Sequence, residues 1–225
     1  MTSPYDLPLT VYNPGAFIRT ALDLHTLASR PEVAEQWNNP SALERMTVGG
    51  VAAHGLGIVE DILNHCERPE PATPRFIGIV EYYRAARLDK REDLDLEGHA
   101  FIIDLAERKA ADGPGPLLEK SAATIEQLKW MLPGLDPNKH VYLPRQPPMA
   151  GPLAMMVTNR TVELTAHMDD LAVSVGLPTP PITPEAGAMA LTVLVSIARK
   201  MNTDLEVIRA MARVERAKPD AARAI

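Results

Sequence analysis

Cysteine is nearly missing from this chain of 225 residues: Cys66 stands alone, so no intrachain disulfide and no cysteine cluster can form. Aromatic residues are scarce at 4 %, which leaves the core to Leu, Val, Ile, Ala and 10 methionines and favours helices packed through aliphatic stripes. Positive charge is not in excess. With 23 basic against 29 acidic residues the formal net charge is -6, the opposite of a nucleic-acid-binding footprint. The longest mostly apolar run, Gly187 to Ala198, ends at Arg199-Lys200 and falls short of the ~20 residues a bilayer requires. The opening residues carry neither a basic n-region nor a continuous apolar stretch, so no secretory signal is expected. Period-two alternation is almost absent, which makes strands a minor component. What is present in quantity is hydrophobic residues, 46 %, enough for a sizeable core and too many for wholesale disorder. The expectation is a reduced, cytoplasmic, soluble helical protein with no nucleic-acid or membrane partner.

Proline punctuates the chain. Its 21 copies gather around 69–74, 114–116, 133–148 and 178–184, and an interior helical proline costs ~3 kcal/mol, so these clusters mark where helices stop. Between them the spacing predicts a helix from about Pro14 to Ser29, with Phe17, Ala21, Leu24 and Ala28 on one face. Ser41-Ala42-Leu43-Glu44 has the form of a capping box, and a longer helix is expected from Thr47 to His65. A third element spans about Glu97 to Met131 with a break near Gly113–Pro116, and His140 to Gly151 reads as an extended loop. Pro152 opens a fourth helix that reaches Val175 and is closed by Gly176 and Pro178. Further helices start at Thr183-Pro184 and at the capping box Thr203–Glu206. The fold class is all-α, a helix bundle with additional C-terminal helices.

The informative stretch lies on the fourth helix. At about 100° per residue, Arg160, Glu163, His167, Asp170 and Ser174 fall within ~80° of one another, beside an apolar strip of Leu153, Val157, Leu164, Met168, Leu171 and Val175. The ordinary reading of a Glu-x-x-x-His pair is a solvated face with a contact worth a few tenths of a kcal/mol. The alternative is a carboxylate and an imidazole turned into the bundle as ligands of a divalent metal of borderline softness, zinc or a neighbour. Two ligands do not make a site. His54 is the candidate third, since it lies on its helix near the inward stripe of Val51, Ile58 and Ile62. Gly50, Gly55 and Gly57 surround it, each costing about 1 kcal/mol in a helix against alanine, and suggest that room is left beside the imidazole. His65 lies eleven residues on, about 16 Å along the axis, too far to share an ion. His25 reads as an exposed group, and His99 and His140, near element ends, as surface groups.

These two segments, Thr47-Val48 followed by His54 and, about a hundred residues later, Arg160-x-x-Glu163-x-x-x-His167-x-Asp169-Asp170-Leu171, resemble the DinB-like superfamily. Within it the chain is most similar to the mycothiol-dependent maleylpyruvate isomerase family, from about Pro14 to Gly176, and the segment Ile208–Arg216 resembles tails seen there. The resemblance implies a DinB-like four-helix metal-binding bundle over residues 1–177 and a C-terminal helical extension, 178–225, packed on it. It implies one divalent metal, usually zinc, held by His54, Glu163 and His167, with Arg160 and Asp170 as orienting groups. Loops 67–95 and 133–151 offer nothing that aligns, so no thiol-binding residue is assigned. Arg209, Arg213 and Arg216 on the last helix are possible anchors for a thiol's carboxylate, although a basic helix face is more often solvated.

The chemistry the resemblance implies is that of a borrowed sulfur. A thiol of pKa near 8.5 is mostly protonated at neutral pH, and coordination to a metal deprotonates it. Mycothiol or a similar small thiol would supply the nucleophile, and Cys66, at the far end of the His54 helix, reads as structural. The expected activity is an S-transferase acting on a small electrophile. The alternatives are a mycothiol-dependent cis–trans isomerase of a maleylpyruvate-like diacid and a non-catalytic metal-binding bundle. Bundles of this type occur alone and as homodimers.

Overall fold

The computed structural model describes residues 11–70, 75–86, 97–143 and 149–224. Among them are nine α-helices: α1 (Pro14–Ala28), α2 (Pro31–Glu35), α3 (Val48–Glu67), α4 (Ile79–Ala86), α5 (Glu97–Ala110), α6 (Pro114–Met131), α7 (Leu153–Ser174), α8 (Pro184–Met201) and α9 (Asp204–Ala212). Helices α1, α3, α6 and α7 close a ring, with α1 and α3 each packed against both α6 and α7. This is the all-α helix bundle expected from the sequence. α5 lies outside α3, and α8 lies outside α7.

Local chemistry explains most of the boundaries. Asn13 caps α1 by accepting from the Ala16 amide at 2.9 Å, and Pro14 takes the first helical position, where its missing N–H costs nothing. Thr47 caps α3 through the Gly50 amide at 2.9 Å. Glu107 of α5 reinforces that end by accepting from the Thr47 amide at 2.8 Å, a carboxylate placed at the positive end of a helix dipole. At α9 the expected capping box is complete, Thr203 and Glu206 each satisfying the other's backbone.

The core runs through the ring. Phe17 and Leu24 of α1, Val51 and Ile62 of α3, Ile125 and Leu128 of α6, and Leu153, Leu164 and Leu171 of α7 are at most 1 % exposed. Burying a side chain of this size contributes about 1.5–3 kcal/mol. α8 adds Met189, Val193 and Ile197 to the same cluster.

Four expectations need correction. Ser41–Glu44 does not open a helix; Ser41 Oγ turns back to accept from the Leu43 amide at 3.0 Å and donates to Met46 O, a local turn that competes with helix formation. The stretch from His140 is not wholly a loop. β2 (His140–Leu143) pairs antiparallel with β3 (Met149–Pro152), which pairs parallel with β1 (Arg75–Phe76), giving a small sheet in the order β1-β3-β2. The prolines at 144, 147 and 148 lie outside the described residues. α4 occupies part of the segment read as a loop. Two of the three glycines around His54 serve close packing: a Cβ at Gly55 would stand 2.9 Å from Leu24 Cδ2, and one at Gly50 would collide with the Glu107 carboxylate, whereas one at Gly57 would meet only Lys109 Nζ at 3.4 Å.

Candidate metal centre

α3 and α7 run antiparallel with a simple register. His54 of α3 faces His167 of α7, their ring centroids 4.5 Å apart at 72°. Seven residues further along α3, Asp61 faces Arg160, seven residues back along α7. Two helical turns therefore separate two polar pairs on one interface. Gly55 lies at the first of them, where an added Cβ would stand in ordinary contact with His167 Cβ, 3.5 Å away.

His54, Glu163 and His167 each offer one donor atom, and all three atoms lie within 4.8 Å of one another. Glu163 is 8 % exposed, His167 is 4 %, and His54 is partly exposed. His167 Nε2 is buried, makes no hydrogen bond and lies 3.5 Å from Glu163 Oε2. Two ligands ~2.0–2.1 Å from a tetrahedral zinc stand about 3.4 Å apart, so this spacing fits a cation between them. A buried ring nitrogen with nothing to bond is otherwise a cost.

The opposite edge of the ring explains why Nε2 is the atom on offer. His167 Nδ1 is 3.0 Å from Asp170 Oδ2, so the proton sits on Nδ1 and the Nε2 lone pair points at the cluster. Burial pulls the His167 pKa down, but the carboxylates of Asp170 and Glu163 outweigh it and the net shift is upward. The buried Tyr83 hydroxyl of α4 donates to Glu163 Oε1 at 3.4 Å, leaving Oε2 toward His167.

Arg160 takes a different position from the one expected. Its Nε and Nη2 donate to Asp61 Oδ2 at 2.9 and 2.6 Å, so its ion pair is across to α3. Burial works to raise the Asp61 pKa; His65, 3.6 Å away, and Arg160 outweigh it and hold the carboxyl well below the usual range. Asp61 and Tyr83 were missed in the sequence. The only signal for Asp61 is its position seven residues after His54, on the same face of α3.

The remaining candidates fall elsewhere. His65 is buried at 2 % exposure, and His25 is half-buried with Nδ1 2.7 Å from Ser121 Oγ. His99, expected at the surface, is 8 % exposed, because α5 turns it inward. His140 stays at the surface beside Glu70, 3.6 Å away. α9 packs on α8; Arg213 and Arg216 are exposed, and Arg216 pairs with Glu215 at 3.4 Å.

Over residues 21–172, the chain matches the family described as mycothiol maleylpyruvate isomerase N-terminal domain. It belongs to that family. The match spans α3 and α7 and so includes all three donors together with Asp61, Arg160 and Asp170. No curated protein and no solved structure matches the chain. None of the described helices is long and apolar enough to cross a membrane.

Proposed function

We propose that this chain is a metal- and thiol-dependent S-transferase, with His54, Glu163 and His167 holding a divalent cation, zinc by the chemistry of the donors. The observation that carries the reading is the buried, unbonded Nε2 of His167 facing a carboxylate and a second imidazole. The family match supports mycothiol, or a thiol like it, as co-substrate.

When bound there, a divalent cation lowers the pKa of a coordinated thiol so that it is ionised at neutral pH. The chain's own residues prepare for this. Asp170 holds the Nδ1 proton of His167 and fixes the ring; Tyr83 steadies Glu163 through Oε1. The nucleophilic sulfur is not the chain's own, since burial pushes the Cys66 thiol up to about 11. In a transfer, one S–C bond forms at the electrophilic carbon while the displaced group leaves with the bonding pair. The family's description favours a second reading, in which the sulfur adds to an activated double bond, the resulting single bond rotates, and elimination returns the thiol.

Purified protein supplied with zinc and mycothiol should consume a halobimane, with the alkylated thiol as product. Turnover of maleylpyruvate to its trans isomer, with no net loss of thiol, would instead establish the isomerase. Neither activity in a zinc-replete sample would leave the non-catalytic bundle as the correct reading.

A further inference from the structure

Apolar exposure is not spread evenly over this chain. Ten large hydrophobic side chains are exposed among the described residues, and seven of them, from Val173 to Met211, follow residue 172, where the family match ends. Three of the seven lie on α9. At 100° per residue Leu205, Ile208 and Met211 share an arc of about 120°, with Ala212 inside it. The three are 53 %, 59 % and 60 % exposed, whereas Val207, outside that arc, is buried. A helix laid on the surface of a bundle ordinarily turns its apolar stripe inward and its charges out. α9 does the reverse: Leu205, Ile208 and Ala212 stand in water at the i, i+3, i+7 spacing by which one helix packs on another.

The charges beside the stripe say what fits it. Asp204 and Glu206 in the first turn of α9 are matched by Arg209 in its last turn and Arg213 at its C-cap, so the helix has no net charge. That suits neither an anionic lipid surface nor a nucleic acid. The order of the charges is instead self-complementary in an antiparallel pair. Glu206 and Arg209 lie about 60° apart on one flank of the stripe. A two-fold axis at Ile208 sets that residue against its own copy, Leu205 opposite Met211, and Glu206 opposite Arg209, the last two contacts each occurring twice. It also opposes the two helix dipoles. Asp204 is held by Arg199 and takes no part. Glu206 spends Oε2 on the Thr203 cap, and its Oε1 has Lys218 at 3.6 Å; Arg209 enters no ion pair among the described residues.

We propose that the outer face of α9 is a two-fold interface with a second copy of this chain. Nine residues at 1.5 Å each make α9 about 14 Å long, and two such helices side by side cover less than the ~1,000 Å² of a stable interface. The pair is therefore a weak one that forms at micromolar concentrations. It uses none of the helices that carry His54, Glu163 and His167, so it stands or falls apart from the metal-and-thiol reading.

The test sediments the full chain to equilibrium at concentrations from about 1 to 500 μM, across which wild type should pass from monomer to dimer. Ile208→Glu, a change at a side chain already in water, should weaken the dimer at least about tenfold and leave the circular dichroism unchanged. Oxidative crosslinking then reads the register. Cys66 is buried, so an introduced surface thiol is the one that reacts. Ile208→Cys, on the axis, should form a covalent dimer about tenfold faster than Leu205→Cys, which faces Met211 rather than itself. Leu205→Cys mixed with Met211→Cys should crosslink as fast as Ile208→Cys alone. A wild type that stays monomeric at the highest concentration overturns the proposal, and so does a dimer that survives Ile208→Glu. Leu205→Cys that crosslinks to itself as fast as Ile208→Cys overturns the antiparallel two-fold. A monomer that co-sediments with anionic phosphatidylserine vesicles gives the face to a lipid surface and equally overturns it.

Discussion

The two sides of α3 use the same kinds of side chain to opposite ends. Toward α5 and α6, Glu60 pairs with Lys120 at 2.6 Å and Lys109 at 3.3 Å beside a cleft of about 150 Å³ lined by Leu56, Gly57 and Thr124. All three charged groups are at least 30 % exposed, every one has a partner, and such pairs contribute about 0–1 kcal/mol. Toward α7, His54 and Asp61 meet His167, Glu163 and Arg160; Glu163 and His167 are buried, Asp61 stays 35 % exposed, and His167 Nε2 is sealed without a hydrogen bond. His54, Glu163 and His167 are not among the residues that line the cleft on the first side. Burial and an unbonded ring nitrogen set the α7 face apart from the α5 and α6 face, with its recess and exposed charges.

The sharpest way to break this comparison is to remove one residue from each side. His167→Ala should lower metal affinity at least 100-fold, read by competition with a chromophoric chelator, since the cluster loses its one orphaned nitrogen. Glu60→Gln should leave metal affinity unchanged and alter stability by less than about 0.5 kcal/mol in urea melts. Equal effects from the two would erase the distinction.

Next in size is Asp170→Asn, expected to weaken metal binding about 10- to 100-fold by releasing the His167 Nδ1 proton. The same variant has a pH signature in the chelated protein. The folded pKa of His167 is raised, so its stabilisation is complete below the unfolded histidine value of about 6.5 and is lost as pH rises through the higher folded value. The stability gap between wild type and Asp170→Asn should therefore be wide at pH 5–6 and narrow toward pH 8. A gap that widens with pH would mean that burial, not Asp170, governs the ring.

Much of the fold was legible because its signals are local. Thr47, Thr183 and Thr203 announce helix starts that depend on a few consecutive residues, and Glu163 and His167 share a face by helical period alone. His54 stood out by its place beside an apolar stripe, and the resemblance tied it to the pair, because convergence of α3 on α7 is a tertiary fact. Asp61 was not legible for the same reason: its partner is 99 residues away, and in Glu60-Asp61 it reads as surface charge. Tyr83 sits on an eight-residue helix after a proline cluster, too short for its period to stand out.

Gly50 and Gly55 were misread. A sequence cannot separate a glycine that makes room for a ligand from one that lets two helices touch. This too is testable, with smaller effects. Gly55→Val should cost about 1–3 kcal/mol by forcing Leu24 and α7 away. Gly57→Ala meets only Lys109 Nζ at 3.4 Å and should gain about 0.5–1 kcal/mol through helix propensity.

The central claim is that His54, Glu163 and His167 together hold one divalent cation. Elemental analysis of the wild-type protein, isolated without chelators and again after zinc supplementation and desalting, tests it directly. Wild type should carry close to one metal per chain, lost in His54→Ala although α7 is untouched. A zinc-supplemented wild type that carries none, or a His54→Ala protein that retains a full equivalent, would contradict it.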